Sequence, residues 1–258
     1  MNEELKSVVT EAVKEAGNFV LKRIGNFGKI RIKSPKDFCT EVDEEAERII
    51  VNRIKERFPE ASFYGEENGR QGNGKYLFVI DPIDATTNYL KGIPLFDISV
   101  AVYYGDENIL GVISCPKQGE VYIGEKGKGA YLNGKRIHVS DVPTLSQAVV
   151  GWNRSNHPTE MLEPLKKVLV EVLNHAATFR VLGTAGLDYC YLAKGSFDAC
   201  ITPIAEPFHS AGYIIMEEAG AIVTDYEGKK HSLNSETIIA ANPKLHPQIL
   251  ELIKAARN

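Results

Sequence analysis

The chain has 258 residues, 43% hydrophobic and 25% charged, which is ordinary globular usage and too apolar for a disordered chain. Its 30 basic and 34 acidic residues leave a net charge of −4, the wrong sign for a protein whose main work is to neutralise nucleic-acid phosphates. Apolar runs such as Tyr76–Ile80 fall far short of the roughly 20 residues a membrane span needs, and the MNEELKSVV start lacks the apolar segment of a secretory signal. The expectation is a cytoplasmic protein with neither nucleic acid nor membrane as partner.

In chain order, Leu5, Val8, Val9, Ala12, Val13, Ala16, Phe19, Val20 and Ile24 recur at helical spacing, so residues 2–24 read as an amphipathic helix ended by Gly25 and Gly28. A second helix is expected over 40–57, opened by a Thr40/Asp43 pair resembling a capping box. Glu44, Glu45 and Glu47 read as its solvated face. From Ser62 the pattern turns to short β runs: SFYG, YLFVI at 76–80, DISVAVYY at 97–104, ILGVISC at 109–115 and VYIG at 121–124. Asn133-Gly134 then marks a hairpin. After Pro143, strand-like and helical segments alternate: QAVVGW, a helix over 159–173, FRVL, a helix over 184–194, FDACIT, a helix to Glu218, AIVTDY, TIIAA and a last helix from Lys244. Two subdomains are expected: 1–145, two helices on a largely antiparallel sheet, and 146–258, an α/β layer. The four cysteines lie far apart and read as buried, reduced thiols.

One segment carries chemistry. In YLFVIDPIDATTNYLKG, residues 76–92, a buried strand runs into Asp81 and Asp84, joined by the stiff Pro82 and followed by two threonines and an asparagine. Clustered carboxylates repel and persist where a cation holds them, and all-oxygen ligands suit magnesium or manganese rather than zinc. A helix starting near Ala85 would leave the Ala85 and Thr86 amides as an anion site. An Asx-rich turn capping a short helix explains the same spacing, and the two readings stay open at this point. Two further acidic groups, Glu66-Glu67 in YGEENG and Asp43 in CTEVDEEAE, tilt the reading toward one site at a sheet edge.

GEE at 65–67, DPIDATTN at 81–88 and TEVD at 40–43 are similar to the signature of the inositol monophosphatase family, and LGTAGLDYCYLAKGSFDA at 182–199 and MEEAGAIVTDYEGK at 216–229 extend the resemblance nearly end to end. The resemblance implies an α+β, layered α-β-α-β-α sandwich and a homodimeric, lithium-sensitive phosphatase working with two or three magnesium ions, or with manganese. It implies metal ligation by Glu66, Asp81, Asp84 and the Ile83 carbonyl. Thr86 and Asp43, with Glu66, would activate the attacking water, and Lys33, Ala85 and Thr86 would contact phosphate. Gly183, Thr184 and Ala185 would face the cyclitol or sugar. Inositol monophosphate is the default substrate, with fructose bisphosphate, a 3′-phosphoadenosine nucleotide and histidinol phosphate as rivals.

Two departures stand out. Ala85 occupies the place of a family glycine, a small cost if its φ is negative. The family's W-D-x-A-A-G-like motif, whose Asp holds a second metal, reads AEPFHSAG here. Counting from one side puts His209 on the Asp; counting from the other puts Phe208 there. One residue is thus missing, which turns the helix start by about 100°. His209 is the candidate replacement ligand and Glu206 a second, against a reading in which His209 only caps its helix. A catalytically weakened member acting as a binding module is the alternative from another class. GEKGKGAYLNG at 124–134 lacks a nucleotide-loop register and reads as turns. His138, His157, His175, His231 and His246 read as surface or cap residues.

Overall fold

The computed structural model describes residues 3–34, 37–153 and 162–257. Helix α1 (Glu3–Lys22) and, after the hairpin β1 (Ile30–Ser34) and β2 (Asp37–Thr40), helix α2 (Glu41–Lys55) form where the periodicity places them. Thr40 caps α2: its hydroxyl accepts from the Val42 amide at 3.1 Å, and Asp43 accepts from the Thr40 amide at 2.9 Å.

The strands β3 (Ser62–Gly65), β4 (Gly69–Gln71), β5 (Tyr76–Asp84), β6 (Asp97–Tyr104), β7 (Glu107–Cys115), β8 (Glu120–Glu125), β9 (Gly129–Leu132) and β10 (Lys135–Ile137) make one sheet of order β10-β9-β8-β7-β6-β5-β3-β4. Only β3–β5 is parallel. Alternation along β5 sorts its side chains: Phe78 and Ile80 pack with α1 and α2, while Val79 faces the other way. There α5 (Ala185–Ala193) and α6 (Ser210–Glu218) cover the sheet through Leu187, Cys190, Ala211 and Ile215.

The same two helices turn Tyr189, Leu192, Tyr213 and Met216 toward a second sheet, of order β12 (Thr178–Arg180), β11 (Val149–Trp152), β13 (Ala199–Thr202), β15 (Ile238–Ala241), β14 (Ile222–Thr224). Helices α4 (Leu162–His175) and α7 (His246–Arg257) close its outer face. The succession is helices, sheet, helices, sheet, helices, the layered sandwich expected. The second sheet is mixed rather than a plain α/β layer: β11 is parallel to β12 and β13, but β15 is antiparallel to β13 and β14.

All four cysteines are buried and free. Three expectations need correction. His231 and His246 are buried, the latter with Nε2 2.9 Å from the Thr224 hydroxyl. Glu47 is buried as well, for a reason given below. His157 and the expected start of α4 at 159–161 lie outside the described residues. The glycine-rich 124–134 stretch is the β8–β9–β10 meander, its Gly127 and Gly129 amides donating to Glu218 at 2.7 Å each. No helix among the described residues is long and apolar enough to cross a membrane.

Helix α6 lies unusually close to the sheet because β7 and β8 offer it glycine. A Cβ on Gly124 would sit 2.6 Å from the Ile215 Cα, and one on Gly111 would sit 2.2 Å from the Ala211 carbonyl oxygen. Gly124→Ala is therefore expected to cost about 3 kcal/mol by overpacking, read as a lower urea midpoint at unchanged slope.

Candidate active site

The site is built where β5 ends. The strand does not stop at Ile80, as the sequence implied, but continues through a bulge to Asp84, which pairs with Asp97 on β6; Pro82, lacking an N–H, sits inside the irregularity. Ala85 follows at φ 73°, and α3 (Thr86–Lys91) begins one residue later than expected. The left-handed backbone selects the costlier of the two alternatives for Ala85, the one in which φ is positive. A side chain there is strained by about 1 kcal/mol, which a glycine avoids.

Four neighbouring elements aim side chains at this end of the strand. From α2, Asp43 accepts the Thr86 hydroxyl at 3.0 Å, and that hydroxyl also lies 3.2 Å from the Ile83 carbonyl. From β3, Glu66 is tied down by its amide, which donates to the Ile80 carbonyl at 3.2 Å. From the β1–β2 hairpin, Lys33 Nζ reaches Glu66 at 2.9 Å and Glu67 at 2.6 Å. From α5, the Gly186 amide and the Thr184 hydroxyl meet Asp84 Oδ2 at 2.7 and 3.0 Å. Asn88 joins α3 to the segment before α5 by donating to the Leu95 and Leu182 carbonyls at 2.7 and 2.9 Å, which sets Gly183 beside the site. Glu47, far from being solvated, accepts from the Glu67 amide and the Asn68 side chain at 2.9 Å each. It fits there because residue 65 is glycine: a Cβ would come within 2.0 Å of its carboxylate.

Burial decides the electrostatics. It pushes the Asp43 carboxyl up to about 6 and the Glu66 carboxyl up to about 7, the latter against the pull of Lys33. Asp81 is pushed well above the ordinary carboxylate range by burial first and then by Glu66, Asp84 and Asp97. For Lys33, burial alone would lower the ammonium, but Glu66 and Glu67 outweigh it and hold it charged.

This donor set suits a hard cation. It is all oxygen, and Asp81 Oδ1 is buried without a hydrogen-bond partner among the described residues. As they stand, no three His, Cys, Asp or Glu side chains among the described residues gather closely enough to hold an ion. The reasons are physical: Glu66 is drawn toward Lys33, and Asp84 is engaged by α5. Glu66, Asp81, Ile83 and Asp84 would hold the ion and neutralise one another's repulsion through it.

A match to the inositol monophosphatase family model spans residues 1–258. The chain belongs to this family. Its relatives carry different names. The Nus factor SuhB of Vibrio cholerae is 36% identical over 98% of this chain and 96% of its own length. The fructose-1,6-bisphosphatase/inositol-1-monophosphatase of Aquifex aeolicus is 36% identical over 93% and 91%. Among solved structures, the Thermotoga maritima IMPase superposes with a TM-score of 0.89 at 31% identity, covering 99% of this chain and 98% of that one.

The segment AEPFHSAG, which departs in sequence from the family's W-D-x-A-A-G-like motif, folds as a turn leading into α6. Pro207–His209 form a single 3₁₀ turn before α6, and His209 Nδ1 accepts from the Glu206 amide at 3.3 Å, a capping arrangement. Phe208 packs its ring 5.0 Å from that of Tyr64. Sequence reading missed two buried carboxylates. Asp97 accepts the Thr184 hydroxyl at 2.7 Å, and Asp188 on α5 has neither oxygen partnered among the described residues. Each had a signal: a lone acid opening the apolar strand 97–104, and a lone acid within the apolar run LDYCYLA.

Ala85→Gly is expected to raise stability by about 1 kcal/mol, measured as a higher urea midpoint. Burial, and then Asp84, push the Asp188 carboxyl well above its ordinary range. Such a group contributes stability that is fully present below about pH 4 and is lost as pH rises and the unfolded chain ionises. Asp188→Asn keeps the shape without the ionisation. Its stability relative to the parent should therefore grow as pH rises above about 4, followed by denaturant midpoints at increasing pH.

Proposed function

We propose that this protein hydrolyses a small phosphate monoester, inositol monophosphate first, with divalent magnesium. The observation that carries the reading is the Thr86–Asp43 pair, a hydroxyl hydrogen-bonded at 3.0 Å to a buried carboxylate beside the Glu66, Asp81 and Asp84 group. When bound, the cation supplies Lewis-acid activation of water and charge neutralisation on the phosphoryl group.

The chain's own residues do the rest. Asp43 Oδ1 accepts the Thr86 proton, which leaves the Thr86 oxygen lone pairs to accept a hydrogen bond from water and orient it. Asp43 must be ionised for this, so activity is expected to rise as pH increases through about 6. Lys33, held charged beside Glu66, presents a cation to the phosphate. The start of α5 braces Asp84, and the exposed Gly183 just before it would face the alcohol part of the ester, whereas Thr184 and Ala185 are fully buried and would act only by support. A homodimeric, cytoplasmic enzyme belongs to the same proposal, on the family resemblance and on its four free thiols.

A second reading, a catalytically weakened member that serves as a binding module, is favoured by Phe208 in the second-metal segment and by relatives named Nus factor rather than phosphatase. Phosphate release from inositol 1-phosphate and fructose bisphosphate, with magnesium or manganese, separates the two. Turnover abolished by Asp81→Asn and lowered about 10²–10⁴-fold by Asp43→Asn supports the phosphatase. No turnover with either ester or metal favours the binding module.

A further inference from the structure

We propose that Asp97 takes over the part of the missing acid in the second-metal segment, holding a second divalent cation jointly with Asp84. The inference rests on the phosphatase reading above. Phe208 and His209 are already engaged: the Phe208 ring lies tilted against Tyr64, its carbonyl accepts from Ser99, and His209 Nδ1 caps the turn. What the segment lacks is present on the neighbouring strand. Asp97 lies directly across the β5–β6 register from Asp84 and is fully buried.

The surroundings of Asp97 are arranged for a carboxylate but leave it incomplete. Its Oδ2 accepts the Thr184 hydroxyl at 2.7 Å, and the same hydroxyl lies 3.0 Å from Asp84 Oδ2. A hydroxyl carries one proton, so it cannot donate fully to both carboxylates at once. Asp97 Oδ1 has no hydrogen-bond partner among the described residues. Residue 186 is glycine at this point, and a Cβ there would stand 2.2 Å from that same oxygen. Asp188, also fully buried and with both oxygens unpartnered, has Asp84 as its principal charged neighbour.

The fully buried Asp97 and Asp188 beside the half-buried Asp84, with Asp97 and Asp84 sharing one hydroxyl, are costly unless a positive charge joins them. A hard divalent ion is that charge, since magnesium keeps several of its waters and needs few protein carboxylates. The rival explanation makes Asp97 a fixed anion at the N-terminal end of α5. That accounts for the Thr184 hydroxyl and for the Leu187 amide, which also favours the charged carboxylate, and leaves Oδ1 unpaired.

The test counts ions rather than turnover. Equilibrium dialysis against Mn²⁺, with bound metal measured by elemental analysis, is applied to the parent, Asp81→Asn, Asp97→Asn, His209→Ala and Glu206→Gln. The parent is expected to bind one more ion per chain than Asp97→Asn, with His209→Ala and Glu206→Gln binding as many as the parent. Asp97→Asn retaining the parent's number overturns the proposal, and so does loss of an ion in His209→Ala or Glu206→Gln. A parent that binds a single ion, lost in Asp81→Asn, overturns this proposal and leaves the phosphatase reading standing; a parent that binds none sinks both. The metal-free melting temperature separates the rival. Asp97→Asn should melt at or above the parent, whereas a lower melting temperature at unchanged ion number assigns Asp97 to anchoring α5. Asp97→Ser, read in the same way, replaces the Asn variant if that chain does not fold.

Discussion

Everything at the active end of this molecule is organised around buried carboxylates that repel one another. Asp43, Asp81, Asp97 and Asp188 are all withdrawn from water within one neighbourhood, with Asp84 and Glu66 beside them. Such a cluster is tolerable only where other groups compensate, and each surrounding element contributes one. The N-terminus of α2 and its Thr40 cap serve Asp43, the first turn of α5 serves Asp84, and Lys33 from the hairpin serves Glu66. The compensation is partial: Asp81 Oδ1, Asp97 Oδ1 and both oxygens of Asp188 have no partner among the described residues. This partly compensated acidic cluster is the physical basis of the proposed cation site.

The layered fold makes the convergence geometrically simple. α5 and α6 are shared between two sheets, so the same helices that carry core residues such as Leu187 and Tyr189 also deliver Thr184 and Gly186 to the strand end. Small residues mark the closest approaches. Gly65 admits the buried Glu47, which steadies the loop after Glu66, and Gly186 admits Asp97. Gly111 and Gly124 let α6 press onto the first sheet, which fixes where the segment before it emerges. That segment is where the chain parts from its family motif. Its residues make an aromatic contact and a self-made cap, and the Phe208 carbonyl accepts from Ser99, which pairs with Asp81 at the strand end. Relatives named as phosphatases and relatives named as Nus factors share this framework at similar identity, so names do not decide the chemistry of an individual chain.

The helices α1 and α2, most strand positions, the Asn133-Gly134 hairpin and the DPIDATTN motif were legible in the sequence, because each depends on local periodicity, on turn chemistry or on a contiguous motif. So was the burial of the four cysteines as free thiols. Tertiary structure alone decided the rest. Glu47 follows four other acids on a helix and looks solvated until Gly65 is seen to make room for it. His231 and His246 have no local signal of burial at all. The sign of φ at Ala85 is set by the bulge that carries β5 on to Asp84, not by the residue's own preference. Asp97 sits 13 residues from Asp84 in the chain (97 minus 84) and opposite it in space, a relation that exists only once β5 and β6 pair. Local physics is written along the chain, whereas the electrostatics of a buried site belongs to distances between strands and helices that folding alone creates.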